Sequence, residues 1–121
     1  MERVKPVQIV RQKKRLRDLT GDEIVALAEE LGRRLRPVRA AQLRKFLDAV
    51  NRIKASFDRN EAAFLRYRLA YAASRERGLH PLIEVLDLAL REKVQDEEDF
   101  HRLARLVEAV VAYHAFYGGR D

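Results

Sequence analysis

Residues 96–119, DEEDFHRLARLVEAVVAYHAFYGG, predict a long amphipathic helix and define both of its ends. Asp96 begins the helix, because a short acceptor side chain satisfies backbone N–H groups that the first turn leaves unpaired. The acidic residues that follow complement the positive end of the helix dipole. One stripe at helical spacing then contains Phe100, Leu103, Ala104, Val107, Val111 and His114. The glycines at 118 and 119 end the helix, since glycine tolerates the left-handed conformation common at helix C-termini.

The rest of the chain predicts more helices, because no period-two alternation is long enough for a strand. Thr20 and Glu23 form a capping box that begins a helix over about residues 21–33. Further helices are predicted over about 39–56, over about 60–77 with Asn60 as its cap, and from about Pro81 onward. We therefore predict an all-α fold, a compact bundle of about five helices that forms a single domain over residues 19–121.

The charge is distributed in zones. The 121 residues carry a formal net charge of +6, with 19 arginines and 6 lysines. Residues 1–17 hold seven basic side chains against Glu2, residues 18–30 hold five acids and no base, and residues 31–57 hold eight bases against Asp48. A basic zone this concentrated inside a folded domain favours a phosphate-binding surface. Residues 1–18 present no broad apolar face, so we predict a basic, flexible tail whose removal leaves the fold intact.

The residue inventory argues against an enzyme. The chain has no cysteine, two serines, one threonine and three histidines, so an activated nucleophile with its base has few candidates. No glycine-rich phosphate loop is present, and His114 is expected as a hydrogen-bonded core residue. No apolar run approaches membrane-spanning length. We predict a non-catalytic cytoplasmic protein without a cofactor or a metal.

The stretch AQLRKFLDAVNRIK, residues 41–54, contains the sharpest amphipathic pattern. Its apolar arc lies opposite Asp48, and Arg44, Lys45 and Arg52 lie close beside Asp48 on the helical wheel. Lys54 lies at the margin of the apolar stripe, where its long stem can reach solvent. A solvated charged face is the ordinary interpretation, but such faces usually mix acids and bases.

The stretch LRYRLAYAASR, residues 65–75, places Tyr67, Tyr71 and Arg75 along one row of a helix. Aromatic side chains interleaved with arginine can stack on bases. The more common role for such tyrosines is at the rim of the core with solvated hydroxyls, and we adopt that interpretation here.

Three segments, in order, resemble the small subunit of the type III-A CRISPR (Csm) effector complex. They are QLRKF at 42–46, LRYRLAYAASR at 65–75 and the final helix at 94–119. Tyr67 replaces the proline usual in that family, so a helix interruption there is not expected, and Ser74 replaces a common glycine.

The resemblance implies a non-catalytic subunit that contacts the target RNA strand and the guide–target duplex through their backbones. It also implies contacts with the repeated backbone subunit and with adjacent copies of the same chain. The implied RNA-binding residues are Arg44, Lys45, Arg52, Lys54, Arg68 and Arg75. His101 and Arg105, on the exposed side of the final helix, are weaker candidates for protein contacts.

Two alternatives stay open on the residues alone. One is a DNA-binding architectural protein that uses the N-terminal basic segment as an arm. The other is a helical protein–protein interaction module whose arginines pair with an acidic partner.

Overall fold

The computed structural model describes residues 4–121 and contains six α-helices in that range. They are α1 (Pro6–Gln12), α2 (Gly21–Arg34), α3 (Ala40–Ala55), α4 (Arg59–Arg75), α5 (His80–Leu88) and α6 (Glu97–Phe116). Short 3-10 turns occupy Leu16–Asp18 and Arg77–Leu79, and a π-helical turn, Ala89–Lys93, extends α5. The all-α prediction is confirmed. The helix count is six instead of about five, because α1 lies in the predicted tail.

The predicted starts of α2 and α6 are confirmed. The Thr20 hydroxyl oxygen accepts the Glu23 N–H at 3.1 Å, and the Glu23 carboxylate accepts the Thr20 N–H at 2.9 Å. The Asp96 carboxylate accepts the Asp99 N–H at 3.1 Å. Each cap satisfies N–H groups that have no partner inside the helix.

The centre of the fold is the packing of α6 against α2 on one side and α3 on another. Most of the predicted stripe is buried, but Val111 is only partly buried, whereas Leu106 and Val110, outside the predicted stripe, are fully buried. A helix packed on two sides buries a wider arc than one stripe. At Gly32 the backbones of α2 and α6 come so close that a methyl group would lie 2.7 Å from the Tyr113 Cβ.

The turn after α6 folds back over His114. Gly118 adopts a φ of 75°, which favours glycine, and the Gly119 N–H donates to the His114 carbonyl at 2.7 Å. His114 is buried, and its Nε2 lies 2.7 Å from the Val38 carbonyl oxygen. Because a carbonyl only accepts, Nε2 carries the proton. The prediction of a hydrogen-bonded core histidine is confirmed.

The segment before α2 is tied to the start of α6 through a buried carboxylate. Asp99 is fully buried and accepts from the Arg15 Nε at 2.9 Å, the Arg17 N–H at 3.1 Å and the Gln95 N–H at 2.9 Å. Asp96 is within ion-pair distance of both arginines. We call Arg15, Arg17, Asp96 and Asp99 the Asp99 cluster.

The pKa values of both carboxyl groups in the Asp99 cluster are lowered. Burial alone would raise the pKa of Asp99, but hydrogen bonds from the Gln95 N–H, the Arg15 side chain and the Arg17 N–H outweigh burial and lower it. At Asp96 the hydrogen bond from the Asp99 N–H lowers the pKa most, and the two guanidinium groups lower it further. Both carboxylates are therefore ionised at neutral pH.

The prediction of a flexible tail is wrong for the described part of residues 1–18. Val10 and Leu16 are fully buried, and α1 packs against α5 and α2. The sequence did not reveal the burial of Val10 and Leu16, because two aliphatic side chains six residues apart among basic residues create no periodic apolar stripe. Residues 1–3 lie outside the described range. Removal of residues 1–17 is accordingly expected to cost stability.

Candidate nucleic-acid interface

An open groove of about 930 Å³ separates the exposed edges of α3 and α4. The lining of the groove includes the apolar side chains of Phe46, Leu65 and Leu69, and basic side chains form its rim. The rim consists of Arg39, Lys45, Arg52, Arg68, Arg75 and Arg120. We call this feature the α3–α4 groove.

Helix geometry aligns the basic side chains along the groove. On α3, Leu43, Val50 and Ile53 face the core, which leaves Lys45 and Arg52 exposed. The two lie seven residues apart, so they point to the same side at a spacing of about 10 Å along the axis.

The same repeat occurs on the facing helix α4. Leu65 and Leu69 are buried, and Arg68 and Arg75 are exposed with the same seven-residue spacing. The helix begins at Arg59 because Asp58, not the predicted Asn60, is its cap: the Asp58 carboxylate accepts the Asn60 N–H at 2.7 Å.

The structure brings together four of the six residues implied to bind RNA. Lys45, Arg52, Arg68 and Arg75 line the groove, whereas Arg44 and Lys54 are exposed elsewhere on α3 and do not. Those two residues remain outside the candidate site defined by the groove.

Two further basic residues at the groove were not identified from the sequence. Arg39 immediately precedes α3, and Arg120 arrives from the C-terminal end of the chain. The Arg120 N–H donates to the Arg36 carbonyl at 2.9 Å, and the Arg120 carbonyl accepts the Ala40 N–H at 2.7 Å. No local pattern predicts this pairing, because it joins residues that are eighty or more positions apart.

The rim charges have no acidic partners of their own. Glu76 is the one carboxylate among the lining residues, and it accepts the Arg39 backbone N–H at 3.4 Å. Within residues 4–121, none of the six rim side chains forms an ion pair within 4.0 Å. The paired lysines and arginines lie elsewhere: Lys13, Arg15, Arg17, Arg33, Arg34, Arg66 and Arg91. Six clustered cations facing one acid produce a strongly positive local potential that attracts an external polyanion.

Two tyrosines of α4 are exposed beside the groove. Tyr67 is 61% exposed and Tyr71 is 64% exposed, so the interpretation of both as core-rim residues is wrong. The Arg75 Nη1 donates to the Tyr71 hydroxyl at 3.1 Å, and its guanidinium carbon lies 5.8 Å from the centre of the Tyr71 ring. These contacts hold one arginine against an aromatic face.

The groove offers charge and apolar surface, and its lining includes no histidine, serine, threonine or cysteine. Across residues 4–121, no group of three or more histidine, aspartate or glutamate side chains is placed to hold a metal ion. In the same range, no helix combines the length and apolar composition of a membrane span.

The weaker candidates for protein contacts lie outside the α3–α4 groove. His101 and Arg105 are exposed and line a shallow depression between α2 and α6, together with Val25. The neighbouring Arg102 is engaged, because its guanidinium donates to the Leu19 carbonyl at 2.9 Å.

The fold and the groove define a small all-helical protein with one concentrated cationic surface. Comparison with known proteins then identifies the family: the model of Csm2 type III-A proteins matches residues 18–120. The chain is also 37% identical over 90 residues to the CRISPR system Cms protein Csm2 of Streptococcus thermophilus. That match covers 67% of this chain and 74% of the relative. The chain therefore belongs to the Csm2 family, the small subunits of type III-A CRISPR Csm complexes. No solved structure matches it significantly.

Proposed function

We propose that this Csm2 protein is a non-catalytic RNA-binding subunit that holds nucleic acid through the phosphate backbone in the α3–α4 groove. The observation that supports this most is the charge of the rim, where six basic side chains face Glu76 and none has an internal carboxylate partner in the described chain. Phosphate oxygens provide the missing counter-charges, and arginine binds them in bidentate geometry.

The groove has the chemistry for attachment to a backbone and lacks that for reading base edges. Its lining offers one amide side chain, Gln42, among the cations. The rim cations are exposed side chains, and exposed arginine and lysine contact mainly phosphate oxygens, which fix the position of a strand without reading its sequence. Sequence recognition then belongs to base pairing between guide and target, as in other RNA-guided effectors.

In the assembled complex, the groove of this subunit contacts the target strand or the guide–target duplex. The remaining surface contacts the repeated backbone subunit and adjacent copies of the chain, and His101 with Arg105 is the candidate position for one such contact. The protein acts in the cytoplasm, where guide and target RNA occur.

The isolated protein is expected to bind RNA weakly, with little sequence preference and with a strong dependence on salt. For four to six phosphate contacts on a single strand, log affinity falls with log salt at a slope of about −3 to −4. Filter binding of single-stranded RNA, duplex RNA and duplex DNA from roughly 50 to 200 mM salt measures this slope.

The same comparison separates the competing functions. Affinity that is insensitive to salt, or that requires one sequence, contradicts backbone binding. Clear preference for duplex DNA supports the architectural DNA-binding alternative. Absence of binding to all three nucleic acids supports a protein-interaction module.

A further inference from the structure

We infer that the exposed aromatic face of α4 stacks on unpaired bases, so that the α3–α4 groove and this face together select single-stranded RNA over duplex. This inference rests on the proposed function and specifies the form of RNA that the site takes. The aromatic face consists of Phe64, Tyr67 and Tyr71, which are 43%, 61% and 64% exposed.

The aromatic face is continuous with the basic rim. At about 100° per residue, the three rings and the side chains of Arg68 and Arg75 fall within one arc of about 100° on α4. Tyr71 itself lines the groove between the two arginines. A strand whose phosphates lie against those arginines therefore has its bases beside the rings.

The apolar content of this face has no structural use within the described chain. α4 buries Ala62, Leu65, Leu69 and Ala73 on its opposite side, and the three rings contribute nothing to that core. Phe64 and Tyr67 contact each other with their ring centres 5.8 Å apart, which orders the rings as a surface.

The spacing of the rings fits a strand whose bases are separated. Tyr67 and Tyr71 are four residues apart, which is about 6 Å along the helix axis. Stacked nucleotides of one strand are about 3.4 Å apart, so two bases that stack on these rings cannot stack directly on each other. Bases inside an A-form duplex are paired and covered, which leaves only unpaired nucleotides accessible to the rings.

A nucleic-acid occupant is favoured over a protein by the surrounding charge. Tyrosine and arginine also occur at protein interfaces, but this face is continuous with a rim of six basic side chains that form no ion pairs within residues 4–121, and a polyanion neutralises such a rim. Arg75 also lies over the Tyr71 ring, and guanidinium groups contribute to stacked aromatic sites on single strands.

The test replaces Tyr67 and Tyr71 by alanine and measures the affinity for single-stranded and duplex RNA of equal length. Single-stranded binding is expected to weaken roughly five- to hundredfold per lost ring contact, with an unchanged salt slope, while duplex binding changes by less than about twofold. Tyr71→Phe retains the ring and is expected to retain affinity. Phe116→Ala is the matched control, because Phe116 is 75% exposed but belongs to α6 and does not line the groove. Circular dichroism verifies that each variant folds.

The outcomes distinguish this inference from the proposed function. If the alanine variant loses the same affinity for single-stranded and duplex RNA, or loses none for either, base stacking is overturned. The proposed function stands in that case, provided that the wild-type protein binds RNA. If the alanine variant binds RNA normally but fails to enter the assembled complex, base stacking is overturned and the aromatic face is a protein-docking surface. A wild-type protein that binds no RNA overturns both.

Discussion

Replacement of both Lys45 and Arg52 by glutamate is expected to abolish detectable RNA binding and to weaken target capture by the assembled complex. Both side chains are exposed, lie on the same side of α3 and border the groove opposite Arg68 and Arg75. The change removes two phosphate contacts and places two carboxylates beside the RNA backbone. Like charges placed next to each other across an interface weaken the binding free energy by several kcal/mol, so we expect the affinity for RNA to fall roughly a hundredfold or more.

The control for this variant is Lys14→Glu combined with Arg105→Glu, which makes the same change in net charge. Both side chains are exposed, and neither lines the groove. Arg102 is unsuitable as a control because it holds the Leu19 carbonyl. Stability is expected to change by about 0.5 kcal/mol or less in both double variants. If the control damages RNA binding as much as the α3 variant, the effect is one of net charge and the groove is not the binding site.

Replacement of Asp99 by alanine is expected to cause the largest loss of stability of any single substitution in the Asp99 cluster. The substitution removes the carboxylate that accepts the N–H groups of Arg17 and Gln95 and takes the central partner from the Arg15 guanidinium. Removal of one partner from a buried charge pair costs about 3–5 kcal/mol. Since both arginines are partly exposed and can regain water, we expect about 3 kcal/mol, or a fall in Tm of about 10 °C.

Thermal unfolding followed by circular dichroism measures this loss, with Asp48→Ala as the control because Asp48 is an exposed carboxylate on α3.

Deletion of residues 1–17 removes the two arginines together with Val10 and Leu16, and is also expected to lower Tm. Because the folded pKa of Asp99 is lowered, its contribution is present at neutral pH and is lost as the pH falls below the usual carboxyl range. A Tm within a degree of wild type for Asp99→Ala would mean that the N-terminal segment is not held by this carboxylate.

The parts of the fold that were predictable depend on local chemistry. Thr20 with Glu23 and Asp96 with Asp99 cap their helices through bonds that span three residues, so the sequence pattern contains all the participants. The exposed pair on α3, Lys45 with Arg52, was likewise predictable, because amphipathic spacing determines which side chains of a helix stay exposed. Arg68 and Arg75 on α4 were implied by the family resemblance alone.

The parts that were not predictable depend on contacts between distant residues. Asp99 lies in the first turn of α6, as expected for an acidic residue near the positive end of the helix dipole. No local pattern indicates that Arg15 and Arg17 would donate hydrogen bonds to its carboxylate. Arg120 reaches the groove through main-chain hydrogen bonds to Arg36 and Ala40, which no side-chain pattern records. The exposure of Tyr67 and Tyr71 was also missed, because α4 is nearly uniform in polarity and its buried side is defined by small residues as much as by leucine.

Photo-crosslinking with single-stranded RNA that carries 4-thiouridine tests whether RNA binds in the α3–α4 groove, because it locates the bound strand on the unmodified protein. We expect the crosslinked peptides to come from α3 and α4, residues 40–55 and 59–75, and these crosslinks to disappear in the variant with Lys45→Glu and Arg52→Glu. Crosslinks that map to α2 or α6 and persist in that variant would contradict an RNA site in the α3–α4 groove.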